Sequence, residues 1–126
     1  MPKLLVVDDE QDNIDLLRRR LVRRGFSVLS ATSALEAIAL ARADRPDLIL
    51  MDINMPNLDG LKATSYIRQN DLLRHVPVVA LTANVMKGDR EKALDAGCDG
   101  YIQKPIDIDR FPGEVLRFIK QNGHSG

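Results

Sequence analysis

The positions best able to do chemistry in this chain are acidic residues that each follow a short apolar run. Asp8, Asp9 and Glu10 come directly after Leu4–Val7, and Asp52 comes after Leu48–Met51. Thr82 follows Val76–Leu81, and the pair Lys104-Pro105 follows Gly100–Gln103. Carboxylates gathered in a small space repel one another by roughly 1–4 kcal/mol per pair at 4–5 Å, depending on the effective dielectric. A cation among them relieves that repulsion. Few donors, all of them hard oxygens, with room for waters and no Cys/His cluster nearby, suit Mg²⁺ rather than zinc. A carboxylate beside Mg²⁺ and a lysine is also a competent nucleophile toward phosphorus, since both cations neutralise the transferred group. A hydroxyl on a neighbouring strand could then hydrogen-bond the phosphoryl oxygens. His75 and His124, the only histidines, lie away from these positions, so no Ser/His/Asp arrangement exists. Taken singly, each candidate has an ordinary explanation as a turn residue, a helix cap or a solvated lysine. Their joint placement carries the functional reading.

That placement depends on the elements between them. Strands are expected at Lys3–Val7, Phe26–Ala31, Asp47–Met51, Val76–Leu81 and Gly100–Gln103. Three of these are continuously apolar, one proline aside, as in parallel strands covered on both faces. Helices are expected over Gln11–Arg24, from Ser33, over Leu61–Asn70, over Val85–Ala96 and over Asp109–Gln121. Ile14, Leu17 and Leu21 form one stripe of the first, which stops before Gly25. Ser33 and Glu36 make a capping-box pattern for the second, with Leu35, Ile38 and Ala41 or Ala39 turned inward. Gly97 stops the fourth, which carries Gly88 inside it. Phe111, Val115, Phe118 and Ile119 are the expected buried side of the last. Five β-α repeats predict a doubly wound α/β domain, whose ligands bind beyond the carboxyl ends of the strands. The expected domain is residues 1–121, with 122–126 a tail.

Composition narrows the partners. The chain has 126 residues, 44% hydrophobic and 29% charged, with 18 basic and 18 acidic side chains. That balance gives no bulk attraction to nucleic acid or membrane, and no apolar run is long enough for a signal peptide or span. Cys98, the one cysteine, fits a reducing cytoplasm and is expected to be inert packing.

Four stretches together resemble response-regulator receiver domains: Leu5-Val6-Val7-Asp8-Asp9, Met51 through Gly60, Ala80-Leu81-Thr82-Ala83, and Gly100 through Pro105. The similarity spans about Lys3 to Lys120. It implies a flavodoxin-like five-stranded parallel sheet in order 2-1-3-4-5, and phosphorylation by a histidine kinase or histidine phosphotransfer protein with Mg²⁺. Residue by residue, it implies that Asp52 is the phosphoacceptor and Asp9 a direct Mg²⁺ ligand. Asp8 would reach the metal through water, and the Asn54 backbone carbonyl would be a further ligand. Thr82 becomes the switch hydroxyl, Lys104 the phosphate-pairing lysine (its bond to Pro105 cis) and Tyr101 the aromatic switch. The phosphorylated state would change the face of the fourth helix, fifth strand and fifth helix. That face would regulate a downstream target protein, with the chain a monomer or a weak phosphorylation-dependent dimer.

The implied identity is a stand-alone regulator of the chemotaxis or cell-cycle type. Thr82 through Asp89 is also similar to receivers of hybrid kinases, so a receiver cut from a larger protein is the alternative. A competitor of another class is a Mg²⁺-dependent phosphohydrolase of the haloacid-dehalogenase kind. Such enzymes need a second aspartate two residues after the nucleophile, where this chain has Asn54, and no cap domain is present to enclose a substrate. Five arginines crowd the first helix: Arg18, Arg19, Arg20, Arg23 and Arg24. They read as a solvated basic face or as a docking surface for an acidic phosphodonor protein.

Overall fold

The computed structural model describes residues 2–53, 60–71, 73–82, 89–103, 107 and 109–123. Its strands are β1 (Lys3–Val7), β2 (Ser27–Ala31), β3 (Leu48–Asp52), β4 (Val78–Thr82) and β5 (Gly100–Gln103). They alternate with α1 (Gln11–Arg23), α2 (Ala34–Asp44), α3 (Gly60–Gln69), α4 (Asp89–Ala96) and α5 (Phe111–Gly123). All pairings are parallel and the order is β2-β1-β3-β4-β5. The expected flavodoxin-like architecture is therefore the one found.

Side-chain alternation divides the core between the two sheet faces. Leu5, Val7, Ile49, Met51, Val78 and Ala80 meet α2, α3 and α4 through Ala37, Ala41, Ala63, Ile67 and Ala93. Leu4, Val6, Leu48, Leu50, Val79 and Leu81 meet α1 and α5 through Ile14, Leu17, Leu21, Phe111 and Val115. The central strands β3 and β4 are buried throughout, as their unbroken apolar runs require. Both end one residue later than expected, so Asp52 and Thr82 are the last residues of their strands rather than the first beyond them.

Two of the helices, α1 and α4, stop at a glycine. Gly25 takes φ +93° and Gly97 φ +108°, conformations that cost a side-chain-bearing residue about 1–2 kcal/mol. At the end of α1, the Gly25 N–H donates to the Val22 carbonyl and the Phe26 N–H to Leu21. The end of α4 repeats the arrangement, with Gly97 to Leu94 and Cys98 to Ala93. Both are Schellman motifs that satisfy the last free carbonyls.

The second helix departs from expectation. The Ser33 hydroxyl does accept the Glu36 N–H at 3.1 Å, but the Glu36 carboxylate takes the Thr32 N–H rather than that of Ser33. The inward side of α2 is Ala37 and Ala41, so Leu35 lies 83% exposed. Leu35 precedes Ala37 by two residues, which is about 200° around a helix, and this carries it to the far side. Ile38 is half-buried and Ala39 exposed, so Ala41 alone of the expected set is fully inside. The last helix begins at Phe111 and runs two residues beyond Gln121; Phe111 and Val115 are buried, Phe118 and Ile119 half-buried.

Gly100, at the start of β5, leaves no room for a Cβ against the ring of Phe118. Gly100→Ala should therefore destabilise the domain by about 1–3 kcal/mol through overpacking. Urea denaturation measures it; an unchanged midpoint would show that the α5–β5 packing is looser than described.

Candidate functional site

The ends of β1, β3 and β4 form one edge of the sheet. Val7 pairs with Met51, so Asp8, one residue past the end of β1, and Asp52, the last residue of β3, each follow one member of that pair on neighbouring strands, whose usual spacing is about 4.8 Å. Asp52 in turn pairs with Leu81, and Thr82 is one step further along. All three side-chain-bearing residues are enclosed: Asp8 and Asp52 are each 3% exposed and Thr82 is 0%. Asp9, on the turn into α1, is half-buried. Two nearly dry carboxylates side by side are an expensive arrangement for a structural role alone.

Local bonds hold Asp8 in place. Its backbone N–H extends the β1–β2 ladder to the Ala31 carbonyl at 3.1 Å. One carboxylate oxygen accepts the Glu10 N–H at 2.9 Å, an Asx turn that opens α1. The other accepts from the Asn13 amide at 3.4 Å. Asn13 was not among the residues expected from sequence. Its signal was faint: an amide in the first turn of a helix that follows Asp8, Asp9 and Glu10.

Thr82 and Tyr101 belong to the opposite aspect of the edge. Alternation puts Thr82 on the sheet face of Ala80, and Tyr101 pairs with Ala80 while packing against that same face. The hydroxyl and the ring thus share the side covered by α4. Tyr101 is half-buried.

Asn54, Lys104 and Pro105 lie outside the described residues, as do Gly88 and the expected start of the fourth helix at Val85. Cys98 is buried, and its thiol donates to the Thr64 hydroxyl at 3.8 Å. Burial pushes this thiol up from its ordinary value; the Thr64 contact and the Arg68 charge only partly oppose that. A thiol kept protonated is a poor nucleophile, in keeping with inert packing.

The residue sequence reasoning missed most completely is Arg68. Its guanidinium donates to the carbonyls of Gly97 at 2.7 Å, Arg74 at 2.8 Å and Val76 at 2.8 Å, and to the Asp99 carboxylate. Asp99 also accepts the Val78 N–H at 2.8 Å. One side chain therefore ties the end of α3 to the start of β4 and to the turn between α4 and β5. An arginine near a helix end looks like any solvated charge until its partners, 29 and 31 residues away, are in place.

Residues 4–115 match the response regulator receiver domain. The chain belongs to that family. It is 46% identical over 120 residues to the polar-differentiation response regulator DivK of Brucella anthropi, covering 94% of this chain and 98% of that protein. The DivK of Brucella ovis is 44% identical over 116 residues, 92% of this chain and 94% of its own length. Among solved structures, the receiver domain of the sensor histidine kinase PA1611 from Pseudomonas aeruginosa superposes with a TM-score of 0.86. It shares 36% identity over 94% of this chain and 98% of that one, and it holds a magnesium ion in its active-site cleft. The Vibrio cholerae chemotaxis protein CheY4 gives a TM-score of 0.87 at 26% identity, covering 94% of this chain and 98% of its own. This is a receiver domain of two-component signalling, similar to DivK. No helix among its described residues is long and apolar enough to cross a membrane.

Proposed function

We propose that the chain is a single-domain response regulator that accepts a phosphoryl group on Asp52 and passes the change to a partner protein. The observation that supports this reading best is the pair Asp8–Asp52: two carboxylates, each 3% exposed, each one residue beyond the Val7–Met51 pair at the open end of a parallel sheet. In the proposed reaction an Asp52 carboxylate oxygen attacks the phosphorus of a phosphohistidine. The P–O bond forms as the P–N bond breaks, and the departing electron pair stays on the donor imidazole.

Among the described residues, no three His, Cys, Asp or Glu side chains lie close enough to hold a metal ion by themselves. The donors at this edge are nonetheless all hard oxygens, two of them buried, which fits an ion that keeps several waters. Asp9, Asp52 and the Asn54 carbonyl would hold Mg²⁺ directly and Asp8 through water. Bound there, the metal would neutralise charge on the transferred group. Asp8, fixed by Glu10 and Asn13, holds one side of the cleft, and Lys104 supplies a second positive charge. Thr82 hydrogen-bonds the phosphoryl oxygens, and Tyr101, on the same sheet face, follows its movement into the α4-β5-α5 surface. The receiver unit is residues 1–121 together with Asn122 and Gly123, which complete α5, and it acts in the cytoplasm as a monomer or weak dimer. The donor is a histidine kinase or histidine phosphotransfer protein. The near-complete overlap with DivK supports a stand-alone regulator. The similarity to a sensor kinase's receiver supports the second reading, a receiver belonging to a larger kinase.

The test uses acetyl phosphate and then beryllofluoride. Intact mass should show one added phosphoryl group with Mg²⁺ and none with chelator; a mass that does not change in either condition refutes the reading. Beryllofluoride should shift amides across 84–96 and 101–118, and Thr82→Ala should keep phosphorylation while losing most of those distant shifts. Shifts confined to the surroundings of Asp52 would mean that no change is transmitted.

The metal assignment has its own test in thermal melting. Asp9→Asn removes one like charge at nearly constant shape, worth about 0.5–1 kcal/mol at a half-exposed position. The variant should melt no lower than wild type in chelator. Millimolar Mg²⁺ should raise the wild-type midpoint by mass action and leave that of the variant almost unmoved. A variant that melts lower and still gains from Mg²⁺ would remove Asp9 from the site.

A further inference from the structure

The four arginines of α1 and the one that caps it, Arg24, do not form one face. Arg18 turns toward the sheet and donates to the Ser30 hydroxyl at 2.5 Å, which ties α1 to β2. Arg20, Arg23 and Arg24 instead line a recess of about 210 Å³ between the last turns of α1 and the start of α5, closed by Leu21, Asp109 and Pro112. Leu21 and Pro112 are buried and give it an apolar floor. The charges around it are unbalanced. Arg24 reaches Asp109 at 3.7 Å, and among the described residues neither Arg20 nor Arg23 makes an ion pair. The residues lining the recess thus include three guanidinium groups and one carboxylate, which only Arg24 reaches.

We propose that this recess binds a small soluble anion bearing two or more phosphoryl groups. Guanidinium groups present planar forks that match phosphate oxygens two at a time, and three of them leave a surplus of two positive charges after Asp109. The positive end of the α5 dipole adds to that surplus at Pro112. On the α1 side, the carbonyls of Leu21 and Val22 are already taken by the Phe26 and Gly25 N–H groups, so they do not face the anion bare. The concavity favours a compact solute over the flat surface of a membrane. Arg20 lies nine residues along α1 from Gln11, about 13 Å at the helical rise, so this site is separate from the carboxylate edge. It does not depend on the phosphoacceptor reading.

Amide chemical shifts of the full chain during titration with inorganic pyrophosphate, at constant ionic strength, test the proposal. Saturable shifts should appear at Arg20, Arg23, Gly25 and Gly113, with half-saturation below about 1 mM. The double variant Arg20→Ala/Arg23→Ala should weaken binding at least about tenfold. Both arginines are exposed, and a melting curve checks that the double variant stays folded. Asp109→Asn, which removes the competing carboxylate, should tighten binding, and Asp52→Asn should leave it unchanged. Shifts that rise linearly to 10-fold above that concentration overturn the proposal, as does binding indifferent to the double variant. Co-sedimentation with anionic phospholipid vesicles that exceeds pyrophosphate binding would overturn it in favour of a lipid surface.

Discussion

With acetyl phosphate and Mg²⁺, Asp52→Asn protein should gain no phosphoryl mass while wild type gains one group. The expected loss is at least about 10²-fold in labelling rate, because the variant keeps the cleft and removes the attacking oxygen. The amide nitrogen's lone pair is delocalised into its carbonyl, and the remaining amide oxygen is a far weaker nucleophile than a carboxylate. Asp52 is 3% exposed beside an equally enclosed Asp8, so the substitution also removes one of two neighbouring buried charges. The variant should therefore melt no lower than wild type, which separates lost chemistry from lost folding. Labelling that persists at the wild-type rate would move the phosphoacceptor elsewhere, with Asp8 and Asp9 the next residues to replace.

Arg68→Ala should cost about 2–4 kcal/mol, the largest stability loss expected from replacing a single partly exposed side chain in this domain. Three backbone carbonyls would lose this donor together, and the Asp99 carboxylate would lose the guanidinium while keeping the Val78 N–H. The arginine side chain is only 21% exposed and that of Asp99 26%, so water replaces these bonds incompletely. For a domain of this size the loss corresponds to a fall in Tm of roughly 8–15 °C. Arg68→Lys should recover less than half of it, since an ammonium keeps the charge but cannot span four acceptors. Urea denaturation of the three proteins decides the matter; a loss below about 1 kcal/mol would show that the carbonyls are satisfied without Arg68. The same contact constrains Gly97, where a Cβ would come within 2.6 Å of the Arg68 Cγ.

These two residues differ in how visible they were beforehand. Asp52 announces itself because a carboxylate at the end of a continuous apolar run must sit at a strand terminus, and strand runs are a local signal. The same local logic reached Asp8 and Thr82, the buried central strands, and the glycine stops at Gly25 and Gly97. Strand order came from family resemblance, since no local pattern states which strands are neighbours. The placement of Asp8 beside Asp52 is likewise a product of the β1–β3 register. Leu35 was misassigned because a helix with several apolar residues has more than one possible inward stripe. The choice fell to Ala37 and Ala41, the small residues α2 presents to the sheet. Arg68 was beyond sequence reasoning for a physical reason. A long polar side chain reads as solvated until folding brings acceptors from distant segments within about 3 Å of it, and only the tertiary structure decides which acceptors those are.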